Sequence, residues 1–67
     1  MSPDEIFELI VKADERLKYA TDANREQRRQ QARELLEQAR DEARGIGNEG
    51  LATQAETRLA DIGDASS

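Results

Sequence analysis

Between residues 32 and 46 apolar residues recur at steps of four, three, four and three: Ala32, Leu36, Ala39, Ala43 and Ile46. That is the spacing of one helix face, so the stretch reads as an amphipathic helix against which others must pack. Upstream, Ile6, Ile10, Ala13, Leu17 and Ala20 repeat the pattern, with Phe7 and Val11 beside the seam and widening it. Downstream, Leu51, Ala52, Ala55, Leu59 and Ile62 form a third seam, which Gly63 ends.

Local signals divide these seams into elements. Ser2 suits an N-cap, Pro3 suits the first helical position, and Asp4 and Glu5 favour the positive end of a helix dipole. Glu5 stands three residues after Ser2, the capping-box spacing. Asn24 to Gln31 holds no hydrophobic residue, and Asn24 with Gln27, or Asp22 with Arg25, marks a new helix start after a turn near Thr21–Asn24. The alternative is one unbroken helix from Pro3 to about Arg44, which no proline or glycine forbids and which requires a partner chain. Three glycines within residues 45–50 then supply a helix stop and a reversal, with Asn48 as the next cap. The expectation is an all-α single domain over residues 1–63, with helices at about 3–22, 25–45 and 49–62 and a flexible tail at 64–67. Short loops make sequential helices antiparallel, giving an up-down-up bundle with the central helix touching both others.

Composition narrows the function classes. Sixty-seven residues bury only roughly 60% of the surface of the unfolded chain. With no cysteine and no histidine, neither a disulfide framework nor a histidine–cysteine zinc site has its ligands. Stability must come from helix packing or self-association. Charged residues make up 37% of the chain and the net charge is -5, which suits a cytoplasmic protein and argues against general binding to a phosphate backbone. No apolar run is long enough for a membrane span, and no charged start leads into an apolar signal core.

Two of the helices are related. KADERLKYAT from Lys12 and QAETRLADIG from Gln54 align without gaps, 42 residues apart. Ala13 matches Ala55, Asp14 matches Glu56 in charge, Arg16 matches Arg58, and Leu17 matches Leu59. Between them Ala32, Leu36 and Ala39 form a small-large-small series. This arrangement resembles the tetratricopeptide repeat family: Leu59, Ile62 and Gly63 are similar to its first-helix signature, and Ala32, Leu36 and Ala39 to its second-helix signature. Over Lys12 to Gly63 the chain spans about one and a half repeats of the longer kind, with Thr21 where the first repeat would carry glycine. The resemblance implies stacked helical hairpins that act by binding protein.

Little in the chain points to catalysis. Without His or Cys, and with Tyr19 the single tyrosine, the usual nucleophile and base pairings lack their parts, so no enzyme and no cofactor is expected. Glu34, Glu37, Asp41 and Glu42 cluster on the central helix; a pair of them sharing a face has the chemistry to hold a hard cation, but the plain reading is a solvated acidic face. Arg25, Arg28, Arg29 and Arg33 form a basic patch. It is either an anion or nucleic-acid contact, or a set of partners for Asp14, Glu15 and Asp22 of the first helix or for the acids of another chain. Phe7, with Val11 beside it, suits a core filler or an interface anchor equally. Alanine-rich seams bury little area, and at about 25 cal/mol per Å² they leave thin margins against chain entropy. A second chain packing on Phe7, Ile10, Val11, Leu35 and Leu51 relieves this. The reading is a non-catalytic protein–protein interaction module, a homodimer or a partner of another helical protein. The alternative is a small nucleic-acid or anion-binding protein that uses the arginine patch.

Overall fold

The computed structural model describes residues 1–66. Three helices follow in order: α1 (Pro3–Lys18), α2 (Arg25–Gly45) and α3 (Glu49–Ser66). Helix α2 packs along both neighbours, whereas α1 and α3 meet only briefly. The layer measures 37 × 22 × 13 Å. The amino group of Met1 lies 3.6 Å from a carboxylate oxygen of Glu42, which sets the start of α1 beside the end of α2, as an antiparallel pair requires.

The ends of the helices follow from local chemistry. Ser2 and Glu5 close a capping box: Glu5 N–H donates to Ser2 Oγ at 3.3 Å, and Ser2 N–H donates to Glu5 Oε1 at 3.1 Å. Helix α1 stops at Lys18, short of the expected end at 22. Asn24 occupies the N-cap position of α2, yet its side chain caps nothing there. It turns back so that Oδ1 accepts the Thr21 N–H at 2.7 Å, a donor that a continuing α1 would have sent to the carbonyl of Leu17. Tyr19 to Asn24 are thus a loop, and the single long helix is not formed.

Helix α2 ends in a Schellman turn. Asn48 N–H donates to the Ala43 carbonyl at 2.8 Å and Gly47 N–H to the Arg44 carbonyl at 3.1 Å, with Gly47 at a φ of 74°. Asn48 then caps α3, its Oδ1 accepting Leu51 N–H at 3.1 Å. Helix α3 continues to Ser66, beyond the end that Gly63 predicts. Glycine inside a helix costs only about 1 kcal/mol relative to alanine and does not forbid the next turn. Ser67, the last residue of the expected tail, lies outside the described residues.

The core is built from Ile6, Leu9, Ile10 and Ala13 of α1, Ala32, Leu36, Ala39 and Ala43 of α2, and Ala52, Ala55 and Ile62 of α3. Leu35, Leu51 and Leu59 pack against it while remaining partly open. The central seam is buried as its spacing implies, except for Ile46, which is 44% exposed because it follows the last helical turn as the C-cap. The first seam loses Leu17 and Ala20 near the early end of α1 and gains Leu9. Alanines at the contacts let the helices approach closely. Among the described residues no polar side chain is buried.

Candidate interaction surface

The outer edge of α1 carries the largest exposed apolar pair in regular structure: Phe7 is 49% and Val11 37% exposed. They stand one turn apart. Each follows a core residue by one position, Ile6 and Ile10, and so sits about 100° round the helix from the buried seam. Asp14 and Lys18 continue the stripe at steps of three and four, and Asp4 begins it three residues before Phe7.

Helix α3 lies on this side of α1. Asp14 accepts from Arg58 Nε at 3.0 and 3.1 Å, and Arg58 Nη1 also donates to the Gln54 carbonyl at 3.2 Å. Leu51 and Gln54 precede Arg58 along the same edge of α3, at i−7 and i−4. By helical spacing Phe7 and Val11 thus share the edge of α1 that carries Asp14, and the half-buried Leu51 shares the edge of α3 that carries Arg58.

The five expected interface residues do not form one surface. Ile10 is 1% exposed and belongs to the core, because it lies in the seam that faces α2. Leu35 opens into a hollow lined by Arg16, Gln31, Glu34 and Gln38. Arg16 precedes Leu17 as Leu9 precedes Ile10, which puts that hollow at the edge of α1 opposite Phe7 and Val11. Of the five, Phe7 and Val11 are the two exposed on one edge of α1.

One of the four arginines parts from the others. Arg25 bonds Asp22 at 2.7 Å within its own turn. Arg28 donates to Gln31 at 3.4 Å and shares a hollow with Lys12, Glu15, Arg16 and Tyr19. Arg29 lies on the other flank, in a hollow with Asp14, Leu17, Arg58, Asp61 and Ile62, where the three helices meet. Arg33 lines an outer hollow with Glu26, Arg29 and Gln30. Arg25, Arg29 and Arg33, at i, i+4 and i+8, keep to one stripe of α2, and Arg28 stands apart from them with Lys12 and Arg16 of α1. Among the described residues no ion pair joins Arg28, Arg29 or Arg33 to an acid of α1. Lys18, by contrast, holds its ammonium 5.6 Å from the centre of the Tyr19 ring, which is 67% exposed.

The acids of α2 point to separate partners. Glu34 accepts from Gln30 at 3.3 Å, Asp41 from Arg40 at 3.1 Å, and Glu42 lies near the amino terminus. Arg44 pairs with Glu56 of α3. Among the described residues, no three acidic side chains come together as a metal-holding group. One titration is displaced: Glu5 is held below the usual carboxylate value, first by the Ser2 backbone N–H and then by the Ser2 side chain. No helix is long and apolar enough to cross a membrane among the described residues.

Compared with known protein families, characterised proteins and solved structures, the chain matches none.

Proposed function

We propose that this chain is a non-catalytic helical module of the cytoplasm that self-associates through the outer edge of α1. The observation that carries the reading is the exposure of Phe7 and Val11 on a chain whose core is mostly alanine. Covering that pair adds apolar burial where the monomer has little to spare. The mechanism is association of an apolar stripe, with the charges around it setting which partner fits.

The tetratricopeptide-like interpretation goes with this proposal. Ala32, Leu36 and Ala39, which resemble the second-helix signature, are buried in the helix between the two related ones. The related segments begin on α1 and α3, the two outer helices, and repeat hairpins of this kind bind protein through faces their neighbours leave open.

Sedimentation velocity from low to high micromolar concentration tests the reading. The expected result is a rise in mean mass with concentration, abolished by Phe7→Glu with helicity retained. A strictly monomeric, cooperatively folded chain at high micromolar concentration overturns it.

A further inference from the structure

The exposed stripe on α1 has a polarity of its own. Along one line the helix presents Asp4, Phe7, Val11, Asp14 and Lys18, all exposed. Asp4 belongs to the acidic first turn and Lys18 to the basic last turn. Asp14 is already occupied by Arg58, and among the described residues neither Asp4 nor Lys18 enters an ion pair. These two charges end the line with the apolar pair between them, neither held by an opposite charge, and Lys18 lies only over the exposed Tyr19 ring. Asp4 stands seven residues before Val11, and Lys18 seven residues after it.

That symmetry suits one occupant. A second α1 laid antiparallel on the first, with the two-fold axis at Val11, brings Val11 against Val11, sets Asp4 of each copy against Lys18 of the other, and lays each Phe7 beside the other copy's Asp14, whose charge Arg58 already meets. A parallel arrangement places Asp4 on Asp4 and Lys18 on Lys18. Opposed helix dipoles favour the antiparallel pair as well. We infer that the partner of this surface is a second copy of the chain, joined by an isologous antiparallel α1–α1 contact with two Asp4–Lys18 pairs at its ends. The inference rests on the self-association proposed above and gives it a geometry.

Charge reversal tests it by sedimentation equilibrium, alone and in mixtures. Asp4→Lys alone brings two lysines together at each end of the dimer, and Lys18→Asp alone brings two aspartates together there. Each is expected to weaken association by about tenfold or more, since two attractive pairs become repulsive. An equimolar mixture of the two variants forms a heterodimer with an opposite-charge pair at each end and is expected to recover association, but it does so in either helix direction, so the direction is read from the double variant Asp4→Lys/Lys18→Asp. That variant restores an opposite-charge pair at both ends with the signs exchanged, and is expected to associate about as tightly as the unaltered chain. It also carries both unfavourable helix-end charges, so its recovery separates the contact from any loss of helix stability. If the unaltered chain associates but both single reversals leave its dissociation constant unchanged, or the double variant fails to recover while its helicity is retained, the antiparallel contact is overturned and self-association stands. If the unaltered chain stays monomeric at high micromolar concentration, both are overturned.

Discussion

Asp14 and Arg58 join the first and third helices, Arg58 Nε lying 3.0 and 3.1 Å from the two carboxylate oxygens. They belong to the two related segments but are not each other's counterparts: Asp14 corresponds to Glu56, and Arg58 to Arg16. The pair crosses from one copy of the motif to the other. Among the described residues it is the only side-chain hydrogen bond between α1 and α3, and both groups are partly open to water, at 48% and 32%. A solvent-screened pair of this kind contributes under about 1 kcal/mol. The expected coupling from a cycle of Asp14→Ala and Arg58→Ala lies below that value and shrinks with added salt, as measured by urea unfolding. Its larger effect is on α3: amide exchange in the turn around Gln54 and Arg58 is expected to quicken in Arg58→Ala while α2 stays protected.

The core is far more sensitive. Leu36 is fully buried, at the centre of the helix that both others touch. Leu36→Ala is expected to cost about 2–5 kcal/mol. A domain of this size has only about 3–10 kcal/mol in all, so the variant should lose most of its cooperative transition in a circular-dichroism melt. Tyr19→Ala is the control: exposed in the loop, it should change stability by no more than about 0.5 kcal/mol.

These two positions also mark how far the sequence is legible. Leu36 stands in a seam of regular period, and a periodic seam on a long helix must face something, so its burial follows from spacing alone. The flanks of α1 are different. Leu9 on one side and Phe7 with Val11 on the other are all apolar, and only the placement of α2 and α3 decides which flank is covered. Spacing does not select Leu9 for that reason, and it groups Leu35 with Phe7 although α1 stands between them. The end of α1 depends on whether the Asn24 carboxamide serves its own helix or the Thr21 N–H, a choice that residue preference leaves open. The arginine cluster is legible in part, since Arg25, Arg29 and Arg33 at i, i+4 and i+8 keep to one stripe of α2 whereas Arg28 turns to the flank it shares with Lys12 and Arg16.

The capping box gives a pH signature. The native Glu5 carboxyl titrates below its ordinary value because the Ser2 backbone N–H and then the Ser2 side chain bond its ionised form. With a lowered native value, the unfolded chain takes up the proton first as pH falls. Glu5 therefore stabilises the fold above its unfolded value, and this contribution is lost as pH drops through the native one. Glu5→Gln keeps a side chain that can reach Ser2 but removes the charge. The native chain is expected to be the more stable of the two at neutral pH, with the gap closing below about pH 4, by urea titration across pH. Ser2→Ala removes the hydroxyl that accepts the Glu5 N–H and is expected to cost about 1 kcal/mol at pH 7.

The two glycines around the end of α2 should respond in opposite directions. Gly45 is the last residue of the helix, has no positive φ, and an added methyl group there meets nothing within 4 Å. Gly45→Ala therefore removes unfolded-state freedom without a clash and is expected to stabilise by about 0.4–1 kcal/mol. Gly47, two residues on, also has open space where a Cβ would stand, but its φ of 74° is one that L side chains rarely adopt. Gly47→Ala is expected to destabilise by about 1–2 kcal/mol, because the Schellman turn cannot form without that conformation. In a domain of this length 1 kcal/mol moves the melting temperature by about 4–8 °C, so the two variants should melt on either side of the native chain. Equal melting temperatures would mean that the turn relaxes into another geometry. Gly47→Asn, which tolerates the left-handed region better than alanine, should recover part of the loss and so separates a backbone cause from a side-chain one.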